Sequence, residues 1–146
     1  MDNYLEKISD IDRNLIEKTR EVMTKNYDYD THSVCVGILD DQDQMFFGLA
    51  LKCPNGTNTC AEPSALSNAD INSKTKNYKS VVAIKGKFEP SKIIPPCGIC
   101  RELFNFHCPD IKVIIDSENK IKAKKLLPFP YFSSRFPERL KKIEDD

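Results

Sequence analysis

Three cysteines and one glutamate supply the residue types that a catalytic metal site requires. Glu62 follows Cys60 by two positions, and Cys97 and Cys100 lie three positions apart further along the chain. Catalytic zinc sites usually hold the ion with three protein ligands and leave the fourth position to water or substrate. We therefore predict that the three cysteines bind Zn²⁺ and that Glu62 carries protons during a hydrolytic reaction.

The positions of these residues along the chain favour metal-binding thiolates. Cys60 and Cys97 each stand at the predicted start of a helix, and Cys100 follows on the same face as Cys97. Helix N-termini present free N–H groups and partial positive charge, which lower the pKa of a nearby thiol. The two helix N-termini can therefore help to balance the negative charge of several thiolates around one cation.

Two other uses of the cysteines stay open at this point. Cys97 and Cys100 alone would form a Cys-x-x-Cys redox pair, although such a pair has no need of Cys60 and Glu62. A structural zinc site would instead require a fourth protein ligand, for which the candidates are Cys35, Cys53, Cys108 and His107. We expect Cys35 to be buried in a strand and Cys53 and Cys108 to serve in packing.

Apolar periodicity predicts alternating helices and strands. The predicted strands are 33–39, 45–51, 80–84 and 111–115, the first two forming a hairpin. The predicted helices begin near residues 8, 60, 97 and 136. Residues 86–96 are expected to connect elements, and the lysines of 120–125 to form a solvated face. The alternation indicates an α/β layered fold with one mixed sheet.

Length and composition narrow the class of protein. The chain has 146 residues, for which we expect a single domain spanning 1–146. Lysine plus arginine and aspartate plus glutamate both number 22, so nucleic acid is not an expected partner. No apolar run approaches the length of a membrane span, and the acidic N-terminus lacks the apolar core of a signal peptide. We expect a cytoplasmic protein with reduced cysteines.

The two motifs together carry a family resemblance. Cys-Ala-Glu at 60–62 and Pro-Cys-Gly-x-Cys-Arg at 96–101 resemble the paired signature of the cytidine deaminase superfamily, with cysteine in place of the histidine ligand. Residues 96–115 are especially similar to the blasticidin-S deaminases of that superfamily, and the match covers most of the chain. The resemblance implies a three-layer α-β-α sandwich around one mixed sheet, in a chain that forms a single cytidine deaminase-like domain.

The resemblance also implies a reaction. Cys60, Cys97 and Cys100 would hold zinc while Glu62 transfers protons during attack on a cytosine-type ring, giving the uracil form and ammonia. The substrate would be a small molecule, cytidine or a blasticidin S-like nucleoside. Small members of the superfamily are tetramers in which neighbouring subunits complete each site, so a homotetramer is implied. Tyr131 or Phe132 would then lie near the pocket, with interface packing as the alternative role.

Three positions depart from the family pattern where the sugar and base bind. Cytidine deaminases bind the ribose with the Asn and Glu of Gly-x-Asn-x-Glu, and counting from Gly48 these positions are Ala50 and Lys52. The base-side aromatic position is His32, which either stacks on a ring or is an ordinary strand-edge histidine. The cation at Lys52 predicts an anionic group on the substrate.

Two further departures lie beside the metal motifs. Pro63 and Glu102 stand where Arg and Gln are usual, and the sequence alone gives no role for Glu102. Two rival functions remain at this point: a catalytically inactive zinc-binding deaminase-like protein, and a nucleic-acid-editing deaminase.

Overall fold

A seven-stranded mixed sheet forms the centre of the molecule. The computed structural model describes residues 4–86 and 91–144, with side chains described as far as residue 140. The strands are β1 Glu6–Lys7, β2 Val34–Asp40, β3 Met45–Leu49, β4 Tyr78–Lys85, β5 Lys92–Ile94, β6 Lys112–Ile114 and β7 Asn119–Lys122. The helices are α1 Asp10–Asn26, α2 Ala61–Asn72, α3 Gly98–His107 and α4 Pro137–Glu144.

The strand order is β1-β7-β6-β4-β2-β3, and β5 also pairs with β4. Strands β4 and β6 are parallel, and every other pair among the described strands is antiparallel. The predicted hairpin is confirmed, since β2 and β3 pair with Cys35 opposite Leu49 and Leu39 opposite Met45. The sheet is therefore mixed, as the alternation of elements predicts.

Helices cover both faces of this sheet. Val36 and Ile38 of β2 belong to a core cluster with residues of α2 and α3, such as Phe104. Cys35 and Leu39 point to the opposite face and pack in a second cluster with residues of α1. Alternate residues of β2 are thus buried on both sides, which explains its almost continuous apolar sequence. The predicted three-layer α-β-α arrangement is confirmed.

A buried carboxylate joins the start of α1 to the sheet. Ser9 caps α1, and Asp12 accepts hydrogen bonds from the backbone and the hydroxyl of Ser9, each at 2.9 Å. Asp12 is 1% exposed and also accepts from Ser80 of β4 and Lys120 of β7. Asp12, in the first turn of α1, therefore connects this helix to β4 and β7.

The prediction of a solvated lysine face at 120–125 is wrong for two of its members. Lys120 Nζ lies 2.7 Å from Asp12, and only 15% of its side chain is exposed. The side chain of Lys124 is 2% exposed, and its Nζ lies 2.9 Å from Asp110. Strand β7 and the turn after it lie against neighbouring elements, so these cations face carboxylates rather than solvent.

Other differences concern short elements and loops. The predicted connector 86–96 contains β5, and the strands β1 and β7 were also not predicted. Cys53 is exposed in a loop, so its predicted packing role is wrong, whereas Cys35 is fully buried as predicted and Cys108 packs partly buried against the core. The last predicted helix is present as α4, with the side chain of Ile143 outside the described residues. Within the described residues, every helix is too short or too polar to cross a lipid bilayer.

Candidate active site

Two helix N-termini bring the three cysteines together. Cys60 is the N-cap of α2 and Cys97 is the N-cap of α3, and both have extended backbones. Cys60 makes no side-chain capping hydrogen bond to α2. Cys100 follows in the first turn of α3 and is fully buried. The sulfurs therefore meet where the free N–H groups of both helices begin.

The spacing of the sulfurs suits a tetrahedral metal ion. All three lie within 4.8 Å of one another, and Cys60 Sγ is 3.7 Å from Cys97 Sγ. Zinc–sulfur bonds of about 2.3 Å in tetrahedral geometry place two sulfurs roughly 3.8 Å apart. Among the described residues, no other group of three His, Cys, Asp or Glu side chains could hold a metal. A fourth ligand from Cys53 or His107, as a structural site would need, is not part of this group.

The thiols differ in how readily they ionise. Burial raises the pKa of the Cys100 thiol, and the nearby Glu62 carboxylate raises it further. Burial also raises the pKa of Cys60, with an added contribution from its hydrogen bond to Cys97. Burial opposes ionisation of Cys97 too, but hydrogen bonds led by the backbone N–H of Cys100 outweigh it and lower the Cys97 pKa. A divalent cation would supply the charge that three adjacent thiolates require.

Glu62 lies beside the cluster in the first turn of α2. Its side chain is buried, and Cys100 Sγ donates a hydrogen bond to Glu62 Oε2 at 3.3 Å. Close packing of α2 on β3 sets this position, because a Cβ added at Gly48 would lie 2.1 Å from the backbone nitrogen of Ala65. The absence of a side chain at Gly48 thus lets the helix that carries Glu62 approach the sheet.

A cavity of about 410 Å³ opens onto the cluster and brings several predicted residues together. Its lining includes Cys60, Cys97 and Glu62 together with Ala50 and Lys52. Sequence reasoning did not select the other lining residues, which are Ser33, Val34, Leu51, Asn58, Thr59, Ala61, Ile94 and Pro95. Thr59 directly precedes Cys60 in the chain, and Leu51 pairs with Thr59. Closeness in sequence to Cys60 could therefore have indicated Thr59 as a lining residue.

His32 and Lys52, which were predicted to bind substrate, each have a partner within the protein. His32 is not among the lining residues, and its Nδ1 lies 2.9 Å from the carbonyl oxygen of Ala50. A carbonyl only accepts, so Nδ1 carries the proton in this contact. Lys52 Nζ donates to the carbonyl oxygen of Tyr29 at 2.9 Å and lies 5.2 Å from the centre of the Tyr29 ring. His32 thus lies behind the cavity wall, whereas Lys52 is on it.

Tyr131 and Phe132 line a different cavity, of about 370 Å³, on the surface of α3. Glu102 accepts hydrogen bonds from the backbone N–H groups of Tyr131 and Phe132 at 3.1 and 2.6 Å, which gives this departure from the family pattern a role. We call this the C-terminal aromatic surface, and its apolar lining consists of Pro63, Ile99, Leu103, Phe106, Tyr131, Phe132 and Phe136. Within one chain, these two aromatic residues do not reach the cavity at the cysteines.

Arg101 joins the same C-terminal segment to the start of α3. Its Nε donates to the carbonyl oxygen of Pro96 at 2.9 Å, and its guanidinium donates to that of Leu126 at 3.2 Å. Arg101 and Glu102 therefore hold the C-terminal segment against α3 at two points, Leu126 and the Tyr131–Phe132 backbone.

Comparison with known proteins gives a consistent relationship. No protein-family model matches the chain. The chain is 28% identical over 133 residues to blasticidin-S deaminase from Bacillus cereus, covering 85% of this chain and 94% of that protein. The structure of cytidine deaminase from Bacillus anthracis matches with a TM-score of 0.71 at 19% identity, covering 92% of this chain and 99% of that one. The enzyme from Mycobacterium leprae matches with a TM-score of 0.66 at 22% identity, covering 83% and 99%. The chain is therefore related in sequence to a blasticidin-S deaminase and shares the fold of cytidine deaminases.

Proposed function

We propose that the protein is a zinc-dependent aminohydrolase that converts a cytosine-type nucleoside or nucleoside analogue to the uracil form and ammonia. The observation that carries the proposal is the buried Glu62 carboxylate, which lies 3.3 Å from one sulfur of a three-cysteine cluster and lines the same cavity. A structural metal site has no use for an additional carboxylate facing a cavity. Relatives that are named deaminases support the same reaction class.

Each residue of the cluster has a role in this reaction. Zinc held by the three sulfurs would lower the pKa of a coordinated water towards neutrality. Glu62 accepts a proton from the attacking water and delivers it to the departing amino group. One water is consumed, the bond from ring carbon C4 to nitrogen breaks, a C4 carbonyl forms and ammonia leaves.

The cavity suits a flat base next to a polar sugar. Val34, Ala50 and Ile94 give one part of the lining an apolar character, while Ser33, Asn58 and Thr59 contribute polar side chains. Apolar surface around a buried carboxylate excludes bulk water, which would otherwise compete for the transferred proton. The same cavity can therefore hold a base against Glu62 and leave a sugar near the polar side chains.

Ammonia release from zinc-loaded protein tests the proposal. Cytosine, cytidine, deoxycytidine, cytidine monophosphate and blasticidin S are assayed with wild type, with Glu62→Gln and with the surface control Glu21→Gln. We expect turnover of at least one nucleoside, a fall of roughly 10²- to 10⁴-fold in Glu62→Gln, and no change in the control. Bound zinc, measured by elemental analysis, should be equal in all three proteins.

The rival functions give different results in the same experiment. Zinc-replete wild type that releases no ammonia from any cytosine compound contradicts the proposal and favours a metal-binding protein without turnover. Activity confined to single-stranded oligonucleotides would favour a nucleic-acid-editing deaminase.

We further propose that the protein forms a homotetramer in which the C-terminal aromatic surface of one copy lies near the cysteine cavity of another. This arrangement would bring Tyr131 or Phe132 close to substrate, although neither residue lines the cysteine cavity of its own chain. The exposure of 74% of Tyr131 supports the proposal, since so large an exposed aromatic side chain is available to a partner.

A further inference from the structure

One basic side chain faces the same cavity as the cysteine cluster. Lys52 follows strand β3 and lines this cavity together with Cys60 and Glu62. Among the lining residues that the structure describes, Lys52 is the single lysine or arginine. Glu62 is 5% exposed, whereas Lys52 is exposed. The cavity therefore has an acidic, buried part and a basic, solvent-accessible part.

The charge of Lys52 has no carboxylate partner within the described part of the chain. Its Nζ donates to the carbonyl oxygen of Tyr29 and lies over the Tyr29 ring, and both partners are neutral. None of the ion pairs formed by described residues includes Lys52. By contrast, Lys120 lies 2.7 Å from Asp12 and Lys124 lies 2.9 Å from Asp110. An ammonium group has three donors, so Lys52 retains capacity for an anionic ligand.

The position of the ammonium group is set by contacts along the whole residue. The backbone N–H of Lys52 donates to the carbonyl oxygen of Thr31 at 3.1 Å, and its side chain is held at Tyr29. Asn58 lies on the same cavity lining, and its Oδ1 accepts from the backbone N–H of Cys53 at 3.1 Å. This contact turns the Asn58 Nδ2 donor away from Cys53. The Lys52 ammonium group is thus held in place before any ligand arrives.

We propose that the substrate carries an anionic group, a phosphate ester or a carboxylate, and that Lys52 binds this group while the base lies against Glu62. The inference rests on the proposed deaminase function and names the class of its substrate. The neighbouring wall residue Ala50 presents only a methyl group, so it offers a sugar hydroxyl no hydrogen bond. Of these two positions, Lys52 alone offers the substrate a polar side chain.

Binding of product-like ligands tests the inference without relying on turnover. Uridine, uridine 5′-monophosphate and the 5′-carboxylate of uridine are titrated calorimetrically into zinc-loaded wild type, Lys52→Met and Lys52→Arg. The matched control is Lys125→Met, because Lys125 Nζ also lies over a tyrosine ring, 4.9 Å from the centre of Tyr4, and does not line the cavity. The two anionic ligands distinguish a phosphate substrate from a carboxylate substrate.

We expect wild type to bind at least one anionic ligand roughly 10-fold more tightly than uridine. Lys52→Met should lose this preference, Lys52→Arg should keep most of it, and Lys125→Met should equal wild type. The preference in wild type should also shrink as ionic strength rises.

Three results would overturn the inference. The first is equal affinity of wild type for all three ligands, and the second is a preference that survives in Lys52→Met. The third is an equal loss of affinity for neutral and anionic ligands in Lys52→Met, which would show that Lys52 only holds the Tyr29 loop in place. Turnover of cytidine and its anionic analogues separates this failure from that of the proposed function. Deamination without charge preference overturns the Lys52 inference alone, whereas absence of any deamination overturns the proposed function.

Discussion

At the cysteine cluster, geometry and charge impose opposite demands on the same side chains. The sulfurs of Cys60 and Cys97 are 3.7 Å apart, a spacing suited to two ligands of one metal ion. Burial and the proximity of Glu62 raise the pKa of Cys100, and burial likewise raises that of Cys60. These two thiols must therefore lose protons when a metal binds, so metal affinity should fall as the pH is lowered.

Cys60 and Cys53 provide a matched test of metal binding. We expect Cys60→Ser to weaken zinc binding by at least about 100-fold, because it replaces one of three ligands of the cluster. Cys53→Ser should bind zinc like wild type, since Cys53 lies in an exposed loop outside the cluster. Competition with a chromophoric chelator between pH 6 and pH 8 measures both affinities. Equal zinc affinity of the two variants would rule out the three-cysteine site.

At the scale of the elements, the sequence pattern predicts those strands and helices that are formed by long segments with regular apolar spacing. Strands β2 and β4 are buried on both faces and helix α1 has one buried face, so their residues show continuous or helical apolar spacing. Strands β1, β5 and β7 have two to four residues and no such pattern. Their existence depends on pairing with other strands, β1 with β7, β5 with β4 and β7 with β6, and the pattern within two to four residues does not contain that information.

The same distinction separates the two parts of the candidate site. The candidate metal ligands stand at helix starts with fixed local spacing, so their types and positions could be predicted from the chain itself. The positions of His32 and Tyr131 depend on how loops pack in three dimensions. His32 lies behind the wall at Ala50, and Tyr131 lies on another surface. Sequence position alone could not supply either placement.

The start of α1 gives a prediction about stability in acid. Burial alone would raise the pKa of Asp12, but hydrogen bonds led by those from Lys120 and Ser80 outweigh burial and lower it. A carboxyl whose pKa is lower in the folded state stabilises the fold above its unfolded pKa of about 3.9, and this contribution is lost as the pH falls through the lower folded value. Asp12→Asn removes the charge that faces Lys120.

We therefore expect Asp12→Asn to lower the free energy of unfolding by about 2–4 kcal/mol at pH 7. The difference from wild type should narrow as the pH falls below about 4, because the unfolded carboxyl binds its proton first and the folded one only at lower pH. Denaturant unfolding at pH 7 and at pH 3 measures both differences. Asp10→Asn is the control, because Asp10 is exposed in the same turn. A difference that stays constant with pH would show that shape rather than charge makes Asp12 important.

At the scale of the whole molecule, the C-terminal aromatic surface is the part of the described chain that most resembles an interface. Phe106 packs edge-on against Phe132 and Phe136, with ring centres 5.4 Å apart in each pair. Two residues before Tyr131 in the chain, Phe129 is 95% exposed and its backbone has a φ of 53°, a conformation that costs energy for a phenylalanine. The Phe129 ring is not buried within the chain, so no packing of the ring offsets this cost. This supports a role for the segment around Phe129 in contact with a second copy.

Self-association through this surface predicts a difference between two exposed positions. Tyr131 is 74% exposed and belongs to the C-terminal aromatic surface. Ile71 is 78% exposed on α2 and is not part of that surface. Arginine at an interface core is desolvated without a partner, so Tyr131→Arg should convert the assembly to smaller species at micromolar concentration. Ile71→Arg should sediment like wild type in analytical ultracentrifugation. If neighbouring copies also complete each site, Tyr131→Arg should lose ammonia release together with mass, while its thermal unfolding at high protein concentration keeps a single cooperative transition. A wild type that sediments as a monomer, or a Tyr131→Arg protein that keeps the wild-type mass, would contradict association through this surface.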